Sequence, residues 1–343
     1  MPKTELQNLL LKLDSEPTNL DILNKLALFY FENYDLKSDK EDYDYFEKAY
    51  NIQKTVKSTH NFAWFLYFEW SEIEWRWNKN NSIERALEIQ KECINLLPKS
   101  HYPYYQYGYM LLDQMKFENA IPFLINAYEI EKQRDILHNI GYCHFHLGDF
   151  QNAKDFFTQS TTHLDAEKRS LYNLALTEWR LNNSEQVKLI ADNLYKHIKS
   201  NIHETISGYE IGLLYFLLGN YQKASECLIK QGINGIDLMD WTYLSFSLFK
   251  TDYKLWNKKI NETITERKHW CNEIENNHQY WSDYTDLEKN ERLIELKEEI
   301  KIREDVLCNG MAKPIQDLSK DILVEYCGCL LFDCERHNNK QDD

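Results

Sequence analysis

The stretch His101–Arg134, HYPYYQYGYMLLDQMKFENAIPFLINAYEIEKQR, decides the fold. Within it, Tyr104, Tyr107-Gly108, Phe117, Ala120 and Ala127 stand at spacings that recur downstream. The next stretch carries Ile140-Gly141, Phe150, Ala153 and Ser160. A third carries Leu174-Ala175, Ser184, Val187 and Leu194, and a fourth Ile211-Gly212, Tyr221, Ala224 and Gln231. Small residues therefore fall at Gly108, Gly141, Ala175, Gly212 and Ser245, in steps of 33, 34, 37 and 33. From each of the first four, the next short side chain follows 12 residues on, at Ala120, Ala153, Val187 and Ala224. Self-similarity at such a period marks stacked supersecondary units. Two antiparallel helices approach closely only where a side chain is as small as Gly or Ala, so each period reads as one helix pair.

Composition agrees. The chain has 343 residues, 43% apolar, with only 10 Gly and 6 Pro. That scarcity disfavours turn-rich sandwiches and barrels and favours long helices on short links. A formal net charge of −15 disfavours nucleic acid and anionic membranes as partners, whereas a basic protein or peptide would be steered in. The longest apolar runs, Phe62–Phe68 and Ile211–Leu218, are too short to span a bilayer. Nothing near Met1 reads as an export signal, and the eight scattered cysteines read as reduced, so a cytoplasmic location is expected.

These residues resemble the tetratricopeptide repeat family, whose pattern places a small residue at position 8, an aromatic near 17, and Ala at 20 and 27 of each unit. The likeness is strong over 101–237, good over 19–100, and fades after about residue 255. It implies an all-α, right-handed superhelical solenoid of antiparallel helix pairs with helical caps at both ends. The expected organisation is a capping helix in 1–18, two elongated repeats in 19–100 and four regular repeats in 101–237. A degenerate last repeat in 238–257 and a C-terminal helical cap in 258–343 complete it.

In the elongated repeats Leu26-Ala27 pairs with Ala49 and Phe62-Ala63 with Ala86, steps of 22 and 23 instead of 12. The extra residues read as an acidic loop, Asp35–Asp44, and as one long aromatic helix, Phe62–Trp77, carrying Trp64, Trp70, Trp75 and Trp77. Beyond Asp252 the period is lost, and Lys254–Tyr280, Asp283–Leu307 and Lys313–Glu335 read as three helices. The middle one carries an apolar stripe of Leu293, Ile294, Ile300 and Val306, and Pro314 opens the last.

The resemblance also implies that the first helix of each pair lines a concave groove. The residues at its groove positions are Tyr102, Tyr105 and Tyr109; Asp135, His138 and Tyr142; Arg169, Tyr172, Trp179 and Arg180; and Tyr209 and Phe216. Position 6 adds Gln106, Asn139 and Asn173, whose carboxamides offer a donor and an acceptor to a bound peptide's main chain. Aromatic rings are efficient interface anchors. The family's carboxylate clamp for chaperone tails is matched only by Asn139 and Arg169, since Tyr105 and Tyr109 replace its Lys and Asn.

Catalytic and metal chemistry finds little support. Cys327, Cys329 and Cys334 lie near His337, but on the expected helix Cys327 and Cys329 would point about 200° apart and could not share an ion. His144 with His146, and His269 with Cys271, fail by the same geometry. No phosphate loop, zincin helix or serine elbow occurs. The expectation is a non-enzymatic adaptor that holds a peptide or helix of a partner protein, without cofactor or metal. The alternatives are an immunity- or inhibitor-type protein that blocks a basic enzyme or toxin, and a peptide-responsive bacterial regulator.

Overall fold

The computed structural model describes residues 2–37, 40–69, 81–162, 168–197, 206–229, 242–276, 279–314 and 317–337. Among these there are sixteen α-helices and no β-strand. The architecture is an α-solenoid of antiparallel helix pairs in two compact units, one of residues 1–164 with 324–343, the other of 165–323.

In the first unit, α1 (Pro2–Ser15) covers the N-terminal end of the stack. Its Leu6, Leu9, Leu10 and Leu13 pack on Ile22, Leu26 and Tyr30 of α2 (Leu20–Glu32). Asn19 caps α2 by accepting from the amides of Asp21 and Ile22. The helix pairs are α2 with α3 (Glu41–Ile52), α4 (Val56–Phe68) with α5 (Ser82–Asn95), α6 (Tyr102–Asp113) with α7 (Phe117–Ile130), and α8 (Arg134–His146) with α9 (Phe150–Thr161). The expected Asp35–Asp44 loop is shorter than its span, because α3 starts at Glu41. The expected unbroken Phe62–Trp77 helix ends instead at Phe68, with Glu69 as its C-cap; Trp64 is buried against Phe31 and Phe68, and Trp70, Trp75 and Trp77 lie outside the described residues.

The small residues sit where helices touch. Ala27, Ala49, Ala63, Ala86, Ala120 and Ala153 are buried. A Cβ on Gly108 would stand 2.7 Å from Leu124 Cδ2, and one on Gly141 would stand 2.9 Å from the Phe157 ring. The glycines thus meet large residues of the second helix, and the close approach depends on their lacking a side chain.

The second unit pairs α10 (Lys168–Arg180) with α11 (Ser184–His197) and α12 (Gly208–Leu217) with α13 (Tyr221–Ile229). Next come α14 (Thr242–Thr251), α15 (Tyr253–Glu275) and α16 (Asp286–Asn309). α12 begins with a Ser207/Glu210 capping box and α16 with a Thr285/Glu288 one. Ser245, the last small residue of the period, accepts the indole hydrogen of buried Trp256 at 3.0 Å. α15 runs unbroken through residue 257 and packs along α16, with surface ion pairs Lys268–Glu304 and Lys297–Glu275. The buried face of α16 is Leu296, Ile300 and Arg303, whereas Ile294 of the expected stripe is exposed.

The third expected C-terminal helix is absent. Apart from a turn at Leu318–Asp321, the described residues from Met311 to Leu331 carry no helix, and a single turn of 3₁₀-helix follows at Glu335–His337. Gly310 (φ +78°) ends α16, and Pro314 lies in this non-helical tail instead of opening a helix.

Candidate functional site

In each unit this tail packs against first helices of the pairs. In the first unit, α4 and α8 each present a buried asparagine. Asn61 Oδ1 accepts the Phe332 amide at 2.8 Å, and its Nδ2 donates to the Phe332 carbonyl at 3.1 Å and to Asn24 Oδ1 at 2.8 Å. Asn139 does the same for Glu325: the amide reaches Oδ1 at 3.0 Å, and Nδ2 donates to the carbonyl at 2.8 Å. A carboxamide paired to both polar groups of one residue reads extended main chain and is indifferent to the side chain.

Beside Asn61, His60 donates from Nε2 to the Leu330 carbonyl at 2.8 Å, while its Nδ1 accepts from Gln90 at 3.2 Å. Gln90 also donates to the Pro103 carbonyl and accepts from Gln106. This assigns His60 as the neutral Nε2–H tautomer, and burial pushes its pKa down to about 4. Two side chains of the tail meet aromatic rings, Phe332 fully buried and Tyr326 half exposed. Phe332 lies 5.0 Å from the His60 ring and 5.5 Å from Tyr102, and Tyr326 lies 5.8 Å from Phe68 and 6.0 Å from Tyr109. Leu330, Leu331 and Phe332 belong to the same core as Phe62, Tyr105 and Met110. Lys57 closes the end with a 2.8 Å ion pair to Asp333.

In the second unit Asn173 repeats the pattern on Leu323, accepting the amide at 3.0 Å and donating to the carbonyl at 2.6 Å. The Tyr209 hydroxyl donates to Asp321 at 3.2 Å and that of Tyr243 at 3.4 Å. Burial nevertheless raises the pKa of Asp321, outweighing these two donors. Lys313 stands over the Phe216 ring at 5.7 Å.

Of the other expected groove residues, Tyr105 is fully buried and accepts from Asn139 at 3.2 Å. Tyr172 is equally buried, and burial raises the pKa of both hydroxyls, so each stays protonated. His138 is turned against Phe157 in its own pair at 5.3 Å, and Gln106 bonds Gln90 instead of the tail. Asp135 pairs with neighbouring Arg134 at 2.7 Å. Tyr142 is half-buried beside Phe117 and His146. Arg169 and Trp179 are half-buried and Arg180 is exposed. The Asp317 carboxyl lies below the usual range, first through the Ser319 hydroxyl and also through Lys320 and Arg180.

Residues 135–162 and 209–231 match the tetratricopeptide repeat family. Those two segments are similar to tetratricopeptide repeats. No curated protein matches the chain in sequence. Among solved structures it is similar to a tetratricopeptide repeat protein from Parabacteroides merdae ATCC 43184, 12% identical, covering 72% of this chain and 92% of that one with a TM-score of 0.47. It is also similar to YrrB, a TPR protein with an unusual peptide-binding site, 12% identical, covering 63% and 95% with a TM-score of 0.45. PilW, a type IV pilus biogenesis factor, is 14% identical, covering 59% and 88% with a TM-score of 0.47.

The repeat frame shows what sequence reasoning missed. Asn61 stands two residues before the small Ala63, as Asn139 stands before Gly141 and Asn173 before Ala175. Extending position 6 into the elongated repeats would have found it. The tail as ligand carried no such signal, because its pairing partners lie far away in sequence. Among the described residues, no helix is long and apolar enough to cross a membrane.

Proposed function

We propose that this chain is a protein-interaction module whose groove takes an extended, apolar peptide segment of a partner, with its own C-terminal tail as the resident occupant. The observation that supports this most is the two-bond pairing of Asn139 with the backbone of Glu325, repeated at Asn61 and Asn173. Such pairs bind main chain of any sequence, and the buried pocket at Tyr102 with His60 favours an aromatic side chain, with a second, open contact at Tyr109 and Phe68. A partner segment would carry aromatic or aliphatic anchors in place of Tyr326 and Phe332 and would have to displace the tail. The preference is therefore for apolar segments more than basic ones, and no catalytic role is needed. A cytoplasmic location remains part of this reading.

A labelled peptide with the sequence of 324–333 tests it. A chain ending at Asn309 should bind that peptide, the full chain should bind it far more weakly, and Asn139→Ala in the shortened chain should remove binding. A shortened chain with full helical content and no affinity for the peptide would refute the reading.

A further inference from the structure

The loss of the third C-terminal helix reopens the cysteine cluster. On a helix Cys329 and Cys334 would point about 140° apart, but the extended tail turns at Phe332–Asp333, with Asp333 at φ +62°, and winds into the short 3₁₀ turn Glu335–His337. One ligand atom from each of Cys329, Cys334 and His337 then lies within 4.8 Å of the others. Cys334 Sγ is 3.2 Å from His337 Nδ1 and 3.3 Å from Oε1 of Glu32, at the end of α2.

We infer that Cys329, Cys334 and His337, completed by Glu32, form a binding site for a thiophilic divalent ion of the zinc type. Two thiolates, an imidazole and a carboxylate are a donor set that zinc favours. A tetrahedral ion with Zn–S near 2.3 Å and Zn–N near 2.0 Å spaces its ligand atoms roughly 3.3–3.8 Å apart. Cys334 Sγ, at 3.2 and 3.3 Å from two of its partners, is already close to this separation. The residues also differ in exposure as a loadable site requires. Cys334 is buried, Cys329 half-buried, and His337 exposed at the rim. An open cleft lined by Lys25, Lys57, Asp333 and Glu335 reaches Glu32.

Loading is a ligand exchange with no change of oxidation state. Two S–H bonds break, two metal–sulfur bonds form, and the two protons pass to solvent, so affinity rises with pH. Bound there, the ion would tie the end of the tail to α2, across nearly the whole length of the sequence. This inference does not rest on the proposed function and concerns the chain with its tail in place.

The test uses the full-length chain, stripped with chelator and kept reduced with a non-thiol reductant, then titrated with Co²⁺ and afterwards with Zn²⁺. The expected result is one Co²⁺ per chain, a thiolate-to-cobalt charge-transfer band with tetrahedral ligand-field absorption, and full displacement by one equivalent of Zn²⁺. Cys334→Ser and Cys329→Ser should each lose the band, while Cys271→Ser, on the long helix pair, should keep it. His337→Gln changes an exposed side chain, so it decides the matter if a cysteine variant fails to fold: it should bind Co²⁺ more weakly at unchanged helical content. Absence of the band in the folded, reduced wild type would overturn the proposal, as would a band untouched by Cys334→Ser or His337→Gln.

Discussion

Asn139 and Glu325 exchange two hydrogen bonds, the Glu325 amide reaching Oδ1 at 3.0 Å and Asn139 Nδ2 reaching the Glu325 carbonyl at 2.8 Å. Both residues are buried, and they are 186 positions apart in sequence. The pair does for one residue of the tail what a neighbouring strand would do, since a buried backbone amide and carbonyl need partners.

Asn139→Ala should therefore leave the Glu325 amide and carbonyl unpaired at a cost of about 1–3 kcal/mol for each group that water cannot reach. Asn139→Asp keeps the acceptor but loses the donor and buries a charge, so it should be no milder. Urea unfolding measures the loss, and amide hydrogen exchange at Glu325 should speed up in both variants. Unchanged exchange would show that the pair does not hold the tail.

Removing the tail after Asn309 should lower stability by several kcal/mol while most helical content remains. Burial of a side chain such as Leu331 or Phe332 contributes about 1.5–3 kcal/mol, and both are fully buried here. The uncovered face, with Tyr102 and Tyr109 in the first unit and Phe216 in the second, should bind a hydrophobic dye. Thermal unfolding and dye fluorescence check this.

Acid should loosen the first unit through His60. Its folded pKa is pushed down to about 4 by burial, below the value near 6.5 of an unfolded histidine. The folded chain refuses a proton that the unfolded chain accepts, so this contribution is present above pH 6.5 and is lost as pH falls towards 4. Its slope reaches about 1.4 kcal/mol per pH unit. Burial lowers the pKa of His101 too and adds in the same direction. His60→Gln should flatten the stability profile between pH 6.5 and 4 relative to wild type, as measured by urea midpoints. An identical profile would mean that the ring is charged in the fold.

Gly141→Ala should destabilise although alanine favours helix by about 1 kcal/mol over glycine. The new Cβ would meet the stiff Phe157 ring at 2.9 Å. Overpacking of this kind costs about 1–3 kcal/mol. At Gly148, by contrast, nothing stands within 4 Å of an added Cβ, and φ of +75° alone opposes the change. Thermal melts of the two variants separate crowding from backbone strain.

The helix pairs were legible because their determinants are local. Small residues recur at fixed steps, and the 3.6-residue turn dictates which side chains share a face. The resemblance to the tetratricopeptide repeat pattern added that Asn139 and Asn173 share one repeat position. Gln106, at the same repeat position, could not be told from them, because its bond to Gln90 depends on a neighbouring helix.

By itself, the sequence determined a stack of helix pairs with polar carboxamides along one face. Only the tertiary structure decided what those carboxamides bind. Residues 313–335 carry enough apolar side chains to suggest a helix, but Asn61, Asn139 and Asn173 offer their backbone alternative partners. Gly328 at φ +72° and the buried pocket for Phe332 favour the non-helical form. The same long-range pairing, from Asn61 to Phe332, brings Cys334 beside Glu32. Local pattern cannot report such contacts, since they join residues about 270–300 positions apart whose proximity exists only once the chain has folded.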